Sequence, residues 1–160
     1  MRQAWRCVLL TPLWLASCSA CNAAKPAAAV TTLALPHKPT LVPGQLPVAA
    51  FVAQQLKEAP AATTLVYVGA SWCEPCQRFH RALEAGELDA SLRAVRFVEY
   101  DYDVAKVELV ADGYASRLIP LFALPNHDGR ASSRAIEGSI KGPGAVGNIL
   151  PRLQQLLKPP

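Results

Sequence analysis

The sequence has few of the features that would assign a chain to a membrane-spanning or nucleic-acid-binding class. The apolar segment CVLLTPLWLA near the N-terminus is shorter than the roughly 20 residues that a membrane-spanning helix needs. Basic residues outnumber acidic ones only 16 to 12, and they are scattered rather than gathered with aromatic residues, so we expect no nucleic-acid partner. No internal repeat is present. With 160 residues, 51% of them apolar, the chain suffices for one domain of ordinary size.

The N-terminus is typical of an exported protein. The basic start MRQAWR precedes the short apolar segment, as in a secretory signal. The sequence LASC at residues 15–18 resembles the bacterial lipobox, whose cysteine is lipidated and becomes the first mature residue. We therefore predict a signal peptide over residues 1–17, lipidation of Cys18 and a location at the periplasmic face of a bacterial membrane. The alternative is an ordinary secretory signal cut near Ala20 or Ala24.

The segment that follows is predicted to be a linker. Residues 18–47 are rich in Ala, Pro and Thr, and proline blocks continuous helix formation and strand pairing. Such a composition is typical of a semi-extended tether. We therefore predict a tether over residues 18–47 and a folded domain over residues 48–160.

The folded part alternates between helical and strand patterns. Apolar residues recur at helical spacing in some segments, and β-branched runs that are apolar on both faces occur in others. The pattern predicts a βαβ unit followed by a β-hairpin and a last helix. The predicted elements are a helix over 48–59, a strand over 63–70, a helix from Pro75 to Gly86, a strand over 94–103, a helix ended by Gly113, a strand over 119–125, a strand around 134–137 and a C-terminal helix after Pro143.

Two cysteines lie at the corner between the first predicted strand and the next helix, in the stretch SWCEPCQRFH. As a structural disulfide, Cys73 and Cys76 would close a loop too small to restrain much of the unfolded chain. A CxxC pair beside a βαβ pattern is instead a sign of redox chemistry. This arrangement resembles the thioredoxin family over residues 48–158. The resemblance implies an α/β fold in which helices flank a central mixed β-sheet.

A second landmark of that family agrees with the resemblance. Thioredoxins carry a cis proline that faces their CxxC pair, and SRLIPLF places Ile119 and Pro120 at that point. The resemblance implies that these two residues present backbone to an extended substrate strand. Trp72, just before the first cysteine, is interpreted as a platform beside the nucleophile, with a half-buried core position as the alternative.

The roles of the two thiols follow from their places on the helix. Cys73 lies at the exposed N-terminus of the helix, where backbone NH groups and the helix dipole stabilise a thiolate, so we expect it to be the nucleophile. Cys76 lies one turn inside the helix and is expected to resolve the mixed disulfide. Pro75 helps to start the helix. Glu74 places a carboxylate near the thiolate, which disfavours the reduced form and favours a reductant; the alternative is a solvated residue without influence.

The sequence also departs from the family pattern. Tyr67 stands where thioredoxins carry a buried Asp that serves in proton transfer, and its phenol is a poor base at neutral pH. Solvent, Glu74 and His80 are the remaining candidates for the proton acceptor. CEPC also resembles the motif of exported thioredoxins that reduce apocytochrome cysteines, although CQRFHRAL lacks the Glu and Pro usual there.

We therefore predict a monomeric protein-disulfide reductase of the cell envelope that uses no metal or other cofactor. Its expected partners are protein disulfides, a membrane thiol that donates electrons, and the membrane that holds its lipid anchor. One alternative is a copper metallochaperone that binds the metal through Cys73, Cys76 and His80, although no fourth ligand is evident. The other is a thioredoxin-fold binding module without turnover.

Overall fold

The computed structural model describes residues 38–159. The predicted signal peptide over residues 1–17, the lipidation site Cys18 and most of the predicted tether lie outside the described residues, and they stay predictions. No helix within residues 38–159 is long and apolar enough to cross a membrane.

A five-stranded mixed sheet flanked by four helices forms the described part of the chain. The strands lie in the order β1-β3-β2-β4-β5; β3 runs parallel to β1 and β2, and β4 runs antiparallel to β2 and β5. The predicted α/β class with a central mixed sheet is thus confirmed. The elements are β1 (Thr40–Pro43), α1 (Val48–Glu58), β2 (Thr63–Gly69), α2 (Glu74–Glu84), β3 (Val95–Asp101), α3 (Tyr102–Ala111), β4 (Leu121–Pro125), β5 (Ala131–Glu137) and α4 (Ala145–Leu157).

The sheet begins earlier than the sequence predicts. Residues Thr40–Pro43 lie in the segment interpreted as tether, yet they form β1 and pair with β3. A strand can form here because β1 is at the sheet edge, where proline is tolerated at the end of a strand. The predicted domain boundary at residue 48 is therefore wrong, because the first strand of the sheet precedes that residue.

The central strand β2 carries the core on both of its faces. Leu65 and Tyr67 pack in one cluster with side chains of α2 and α4, whereas Val66 and Val68 pack in another with side chains of α1 and α3. Successive side chains of a strand point to opposite faces, so a strand between two helical layers must be apolar throughout. The prediction of a buried central strand is confirmed.

Glycines end two helices as predicted. Gly86 follows α2 with a φ of 75°, and Gly113 follows α3 with a φ of 87°. Both values lie in the left-handed region, which glycine adopts without the steric cost of a Cβ atom. The end of α2 is relevant to function because this helix carries the cysteine pair at its other end.

Candidate active site

The two cysteines meet at the corner between β2 and α2, as predicted. Their Sγ atoms form a disulfide with a Cα–Cα distance of 5.2 Å. Cys73 is the N-cap residue of α2, and its Sγ accepts a hydrogen bond from the Cys76 backbone NH at 3.3 Å. Pro75 lies in the first turn of the helix, where its missing NH costs no helical hydrogen bond. The corner therefore aims the helix N-terminus at the sulfur of Cys73.

Cys73 is more buried than the sequence indicates. Cys73 is 4% exposed and Cys76 is 3% exposed. They form a small cluster with Ala70, against which Tyr102 and Ile119 pack. The expectation that Cys73 lies at an exposed helix end is therefore wrong for the oxidised protein, because the side chains of Tyr102 and Ile119 pack against that end. Burial alone does not separate the two thiols.

Their surroundings do separate them. Cys73 lines a cleft of about 220 Å³ together with Trp72 and Ile119. Cys76 lines a different cleft, of about 400 Å³, together with His80. An incoming disulfide that enters beside Ile119 therefore meets Cys73 before it meets Cys76.

The segment before β4 has the predicted backbone geometry. The peptide bond between Ile119 and Pro120 is cis, which confirms the prediction, and Ile119 packs against the cysteine cluster. A second cis bond, between Leu46 and Pro47, was not expected from the sequence. The Pro120 carbonyl oxygen accepts a hydrogen bond from the backbone NH of Gly138 at 2.8 Å. This bond ties the cis proline to the residue that follows β5.

A carboxylate that sequence analysis missed holds the loop before Ile119. The Glu137 carboxylate accepts hydrogen bonds from the Ser116 hydroxyl at 2.6 Å and from the backbone NH of Arg117 at 3.0 Å. These bonds, with that of Ser116 the strongest, lower the pKa of Glu137 below its ordinary value. No local pattern could have indicated this contact, because the partners are about 20 residues apart and meet only in the folded sheet.

The Glu74 carboxylate is held by two partners and is not a freely solvated group. Its carboxylate pairs with the Arg78 guanidinium one turn along α2 and accepts a hydrogen bond from the Gly142 backbone NH at 2.9 Å. These partners, Arg78 first, lower the pKa of Glu74. The pairing compensates the negative charge, so the predicted effect of Glu74 on the thiolate is weakened. The i to i+4 spacing of the two residues is a signal that sequence analysis overlooked.

Tyr67 is a core residue and no base. It is 1% exposed, and its ring stacks on Phe122 with a centroid distance of 5.0 Å. Its hydroxyl donates to the Cys76 carbonyl oxygen at 3.4 Å. Burial, with a smaller contribution from nearby Glu99, raises the pKa of Tyr67 well above its ordinary value. The phenol therefore stays protonated at neutral pH, in agreement with the expectation that it is a poor base.

His80 lies in the cleft of Cys76, between two carboxylates. Its Nδ1 is 3.2 Å from a Glu84 carboxylate oxygen, and its Nε2 is 3.5 Å from one of Glu99. Glu99, for which the sequence indicated no role, lies opposite Tyr67 in the pairing of β2 with β3. Among the described residues, no group of three or more His, Cys, Asp or Glu side chains could hold a metal ion.

Trp72 is exposed and is not the half-buried core residue of the alternative interpretation. Its side chain is 63% exposed, and its indole NH donates to a carboxylate oxygen of Asp103 at 2.7 Å. This hydrogen bond fixes the ring at the start of α3. Trp72 and Leu118, which is 60% exposed, line the cleft that contains Cys73. Apolar surface is thus available to a substrate next to the disulfide.

The described chain has a thioredoxin-like fold by its own topology, with a CxxC disulfide at the strand-to-helix corner and a cis proline packed beside it. No protein-family model matches the sequence, and no curated protein matches it. Two solved thioredoxin structures are similar to it. A mutant thioredoxin from Halobacterium salinarum NRC-1 has 19% identity and a TM-score of 0.43, covering 73% of this chain and 91% of its own. Thioredoxin from Trichomonas vaginalis has 25% identity and a TM-score of 0.43, covering 62% of this chain and 84% of its own.

Proposed function

We propose that the protein is a thiol:disulfide oxidoreductase of the cell envelope that reduces disulfides in other proteins. The observation that carries this proposal is the disulfide between Cys73 and Cys76 at the N-terminus of α2, with Ile119 and the cis Pro120 packed beside it. A pair of thiols at a helix N-terminus meets the chemical needs of disulfide exchange, since one thiolate must attack and a second thiol must release the product.

In the proposed reaction the reduced protein consumes one substrate disulfide. The Cys73 thiolate attacks a substrate sulfur, forms a mixed disulfide and expels the other substrate sulfur as a thiolate. The Cys76 thiolate then attacks the Cys73 sulfur, which forms the Cys73–Cys76 disulfide and releases the second substrate thiolate. Two electrons pass to the substrate. A membrane dithiol that donates two electrons and becomes a disulfide would restore the reduced pair.

The cleft beside Cys73 supports a polypeptide as substrate. Trp72 and Leu118 provide exposed apolar surface, and Ile119 lies where its backbone can pair with an extended strand. We therefore propose that Cys73 attacks disulfides in extended or unfolded segments with apolar neighbours. Small disulfides would react with Cys73 without this contribution to binding.

The reductive direction is supported by the apolar surroundings of the pair. A thiolate buried among apolar groups is destabilised relative to a neutral disulfide, which favours the oxidised protein and hence reduction of the substrate. The helix N-terminus acts in the opposite sense. The reduction potential of the Cys73–Cys76 pair measures the net effect, and we expect it near the roughly −270 mV of thioredoxin. A potential near the roughly −120 mV of a strong oxidant would refute the reductive direction.

The location in the envelope is supported by the sequence alone. Lipidation of Cys18 would attach the protein to the membrane, and residues 19–39 would separate the anchor from β1 by at most roughly 65 Å at about 3.1 Å per residue. Cys18→Ala should release the protein from the membrane or block its processing, as membrane fractionation would show. A wild-type protein that is wholly soluble, with an unmodified mature N-terminus, would refute the anchor.

The activity itself is tested by trapping. Cys76→Ser should accumulate mixed disulfides between Cys73 and substrate, whereas Cys73→Ser should accumulate none. Insulin reduction by the wild-type protein supplies the turnover assay. Equal trapping by both variants would refute the assigned roles, and a wild-type protein that reduces no disulfide would instead indicate a binding module. Metal analysis of the purified reduced protein tests the metallochaperone.

A further inference from the structure

The cleft beside Cys76 contains a group of titratable side chains that the proposed reaction has not yet used. It has a volume of about 400 Å³, and its titratable lining residues besides Cys76 are Tyr67, His80, Glu99, Tyr100 and Asp101. These side chains come from α2, β2 and β3, so they are brought together only by the fold. The cleft is large enough to hold water between its polar groups.

Resolution of the mixed disulfide requires a proton acceptor near Cys76, because only the thiolate attacks the Cys73 sulfur. Tyr67 does not serve, since its buried hydroxyl is itself a donor to the Cys76 carbonyl oxygen. Glu74 does not serve either, because it lines the other cleft and is bound to Arg78 and to the Gly142 backbone NH. Of the three candidates that the sequence leaves open, only His80 and solvent remain.

We propose, on the basis of the proposed function, that His80 accepts the proton of Cys76 and that Glu99 is the residue that positions it. Cys76 and His80 are four residues apart on α2, which places them on the same side of the helix one turn apart. Both line the cleft, and in the proposed step the proton passes between them through water held there.

The two carboxylates around His80 fit this role. Nδ1 faces Glu84 at 3.2 Å, so in the proposed step an Nδ1–H group donates to that carboxylate and Nε2 is the nitrogen that accepts the proton. Nε2 faces Glu99 at 3.5 Å, so the ring that has taken the proton donates to both carboxylates at once. Glu99 lies on β3, whereas Glu84 lies on the same helix as His80.

The proton and the electrons balance in this step. The Cys76 thiol transfers its proton to His80 Nε2, and the resulting thiolate attacks the Cys73 sulfur of the mixed disulfide. The bond between Cys73 and the substrate sulfur breaks, and its electron pair leaves with the substrate thiolate. That thiolate takes up the proton of the His80 imidazolium, directly or by way of solvent, so His80 has given up the proton before the next cycle.

The test separates the two half-reactions with oxidised glutathione as the probe. The reduced full-length protein is mixed with the probe, quenched with acid at intervals, and mapped for the glutathione adduct at Cys73. In the wild-type protein we expect little adduct. His80→Gln should form the adduct at the wild-type rate but resolve it about 100-fold more slowly, the lower end of the range for a general base. Cys76→Ser defines the adduct that cannot resolve.

Two further readouts distinguish proton transfer from a structural effect. The resolution rate of His80→Gln should rise about tenfold per pH unit, because only solvent removes the proton, and added imidazole should restore part of the rate to His80→Ala. Glu99→Gln should slow resolution less than His80→Gln does. His127→Gln is the matched control, since His127 is exposed in the turn between β4 and β5, and its rate should stay at the wild-type value.

The possible failures are distinguishable. If His80→Gln resolves the adduct at the wild-type rate, the role of His80 is refuted while the proposed oxidoreductase activity stands. If resolution is slow but neither its pH profile changes nor imidazole restores it in His80→Ala, the residue acts through structure, and the proposal is refuted as well. If the wild-type protein forms neither adduct nor disulfide with the probe, the proposed function fails, and with it this inference.

Discussion

Glu137 gives the most direct test of how the fold builds the proposed substrate-binding side of the site. Its carboxylate holds the loop before Ile119 through Ser116 and the backbone NH of Arg117. Glu137→Ala removes the acceptor of two charge-assisted hydrogen bonds. In a partly exposed position each hydrogen bond contributes about 1 kcal/mol. The variant should therefore lose about 2 kcal/mol of the free energy that stabilises the closed loop. Local opening of the loop should then become roughly 30-fold more frequent.

The assay compares two substrates that differ in their need for this loop. For a peptide disulfide that pairs with Ile119, kcat/KM should fall several-fold in Glu137→Ala. For a small disulfide such as oxidised glutathione, which needs no pairing with Ile119, kcat/KM should stay near the wild-type value. Glu87→Gln is the matched control, because Glu87 is exposed in the segment after α2. An unchanged kcat/KM for the peptide, or an equal loss for both substrates, would refute the loop-holding role.

The pH dependence of the same contact has a defined sign. The pKa of Glu137 is lower in the folded protein than its ordinary value, because the Ser116 hydroxyl and the Arg117 NH bind the charged form. Its contribution to stability is therefore present above the ordinary carboxyl pKa of about 4.3 and is lost as the pH falls through the lower folded value. The difference in stability between the wild-type protein and Glu137→Ala should accordingly shrink below about pH 4, as urea unfolding at several pH values would show.

Three further predictions concern other parts of the site and fold. Gly69→Ala should lower the free energy of unfolding by about 1 to 3 kcal/mol, because the new Cβ would lie 2.9 Å from the Tyr67 hydroxyl oxygen; an unchanged urea midpoint contradicts this. A chain that begins at Gly44 lacks β1 and should unfold at lower urea concentration than one that begins at Lys38, whereas equal midpoints would show that β1 adds no stability. Glu74→Gln should change the reduction potential by less than about 30 mV, because Arg78 already compensates the charge; a larger change contradicts that compensation.

The order of elements after residue 48 was predictable because each has a local periodic pattern. The corner with Cys73 and Cys76 was predictable for the same reason, since a buried strand followed by a proline-started helix is visible in the sequence. β1 was missed because Thr40–Pro43 is only four residues long and lies between prolines, so its pairing with β3 decides its conformation. The cis bond before Pro120 came from the family resemblance and not from local sequence.

Contacts between distant segments were beyond sequence reasoning. Glu99 lies beside Tyr67 because β2 and β3 pair in parallel in one particular register. The helix that connects the two strands in the sequence does not determine that register. Glu137 meets the loop before Ile119 only because β4 and β5 form a hairpin. Each contact depends on how two strands are aligned, whereas the pairing of Glu74 with Arg78 depends on helical spacing alone and was predictable.

The identity of residue 67 and the place of the proton acceptor are physically linked. The Tyr67 ring lies within a cluster of three phenylalanine rings, at centroid distances of 5.0 to 6.4 Å. An aspartate there would leave a cavity in this cluster, at a cost of roughly 3 to 5 kcal/mol, and would set its charge beside that of Glu99 on the paired strand. The aromatic core thus excludes a carboxylate from the position where thioredoxins carry one. In the proposed reaction a proton acceptor for Cys76 must then come from another element, and His80 of α2 lies in the same cleft.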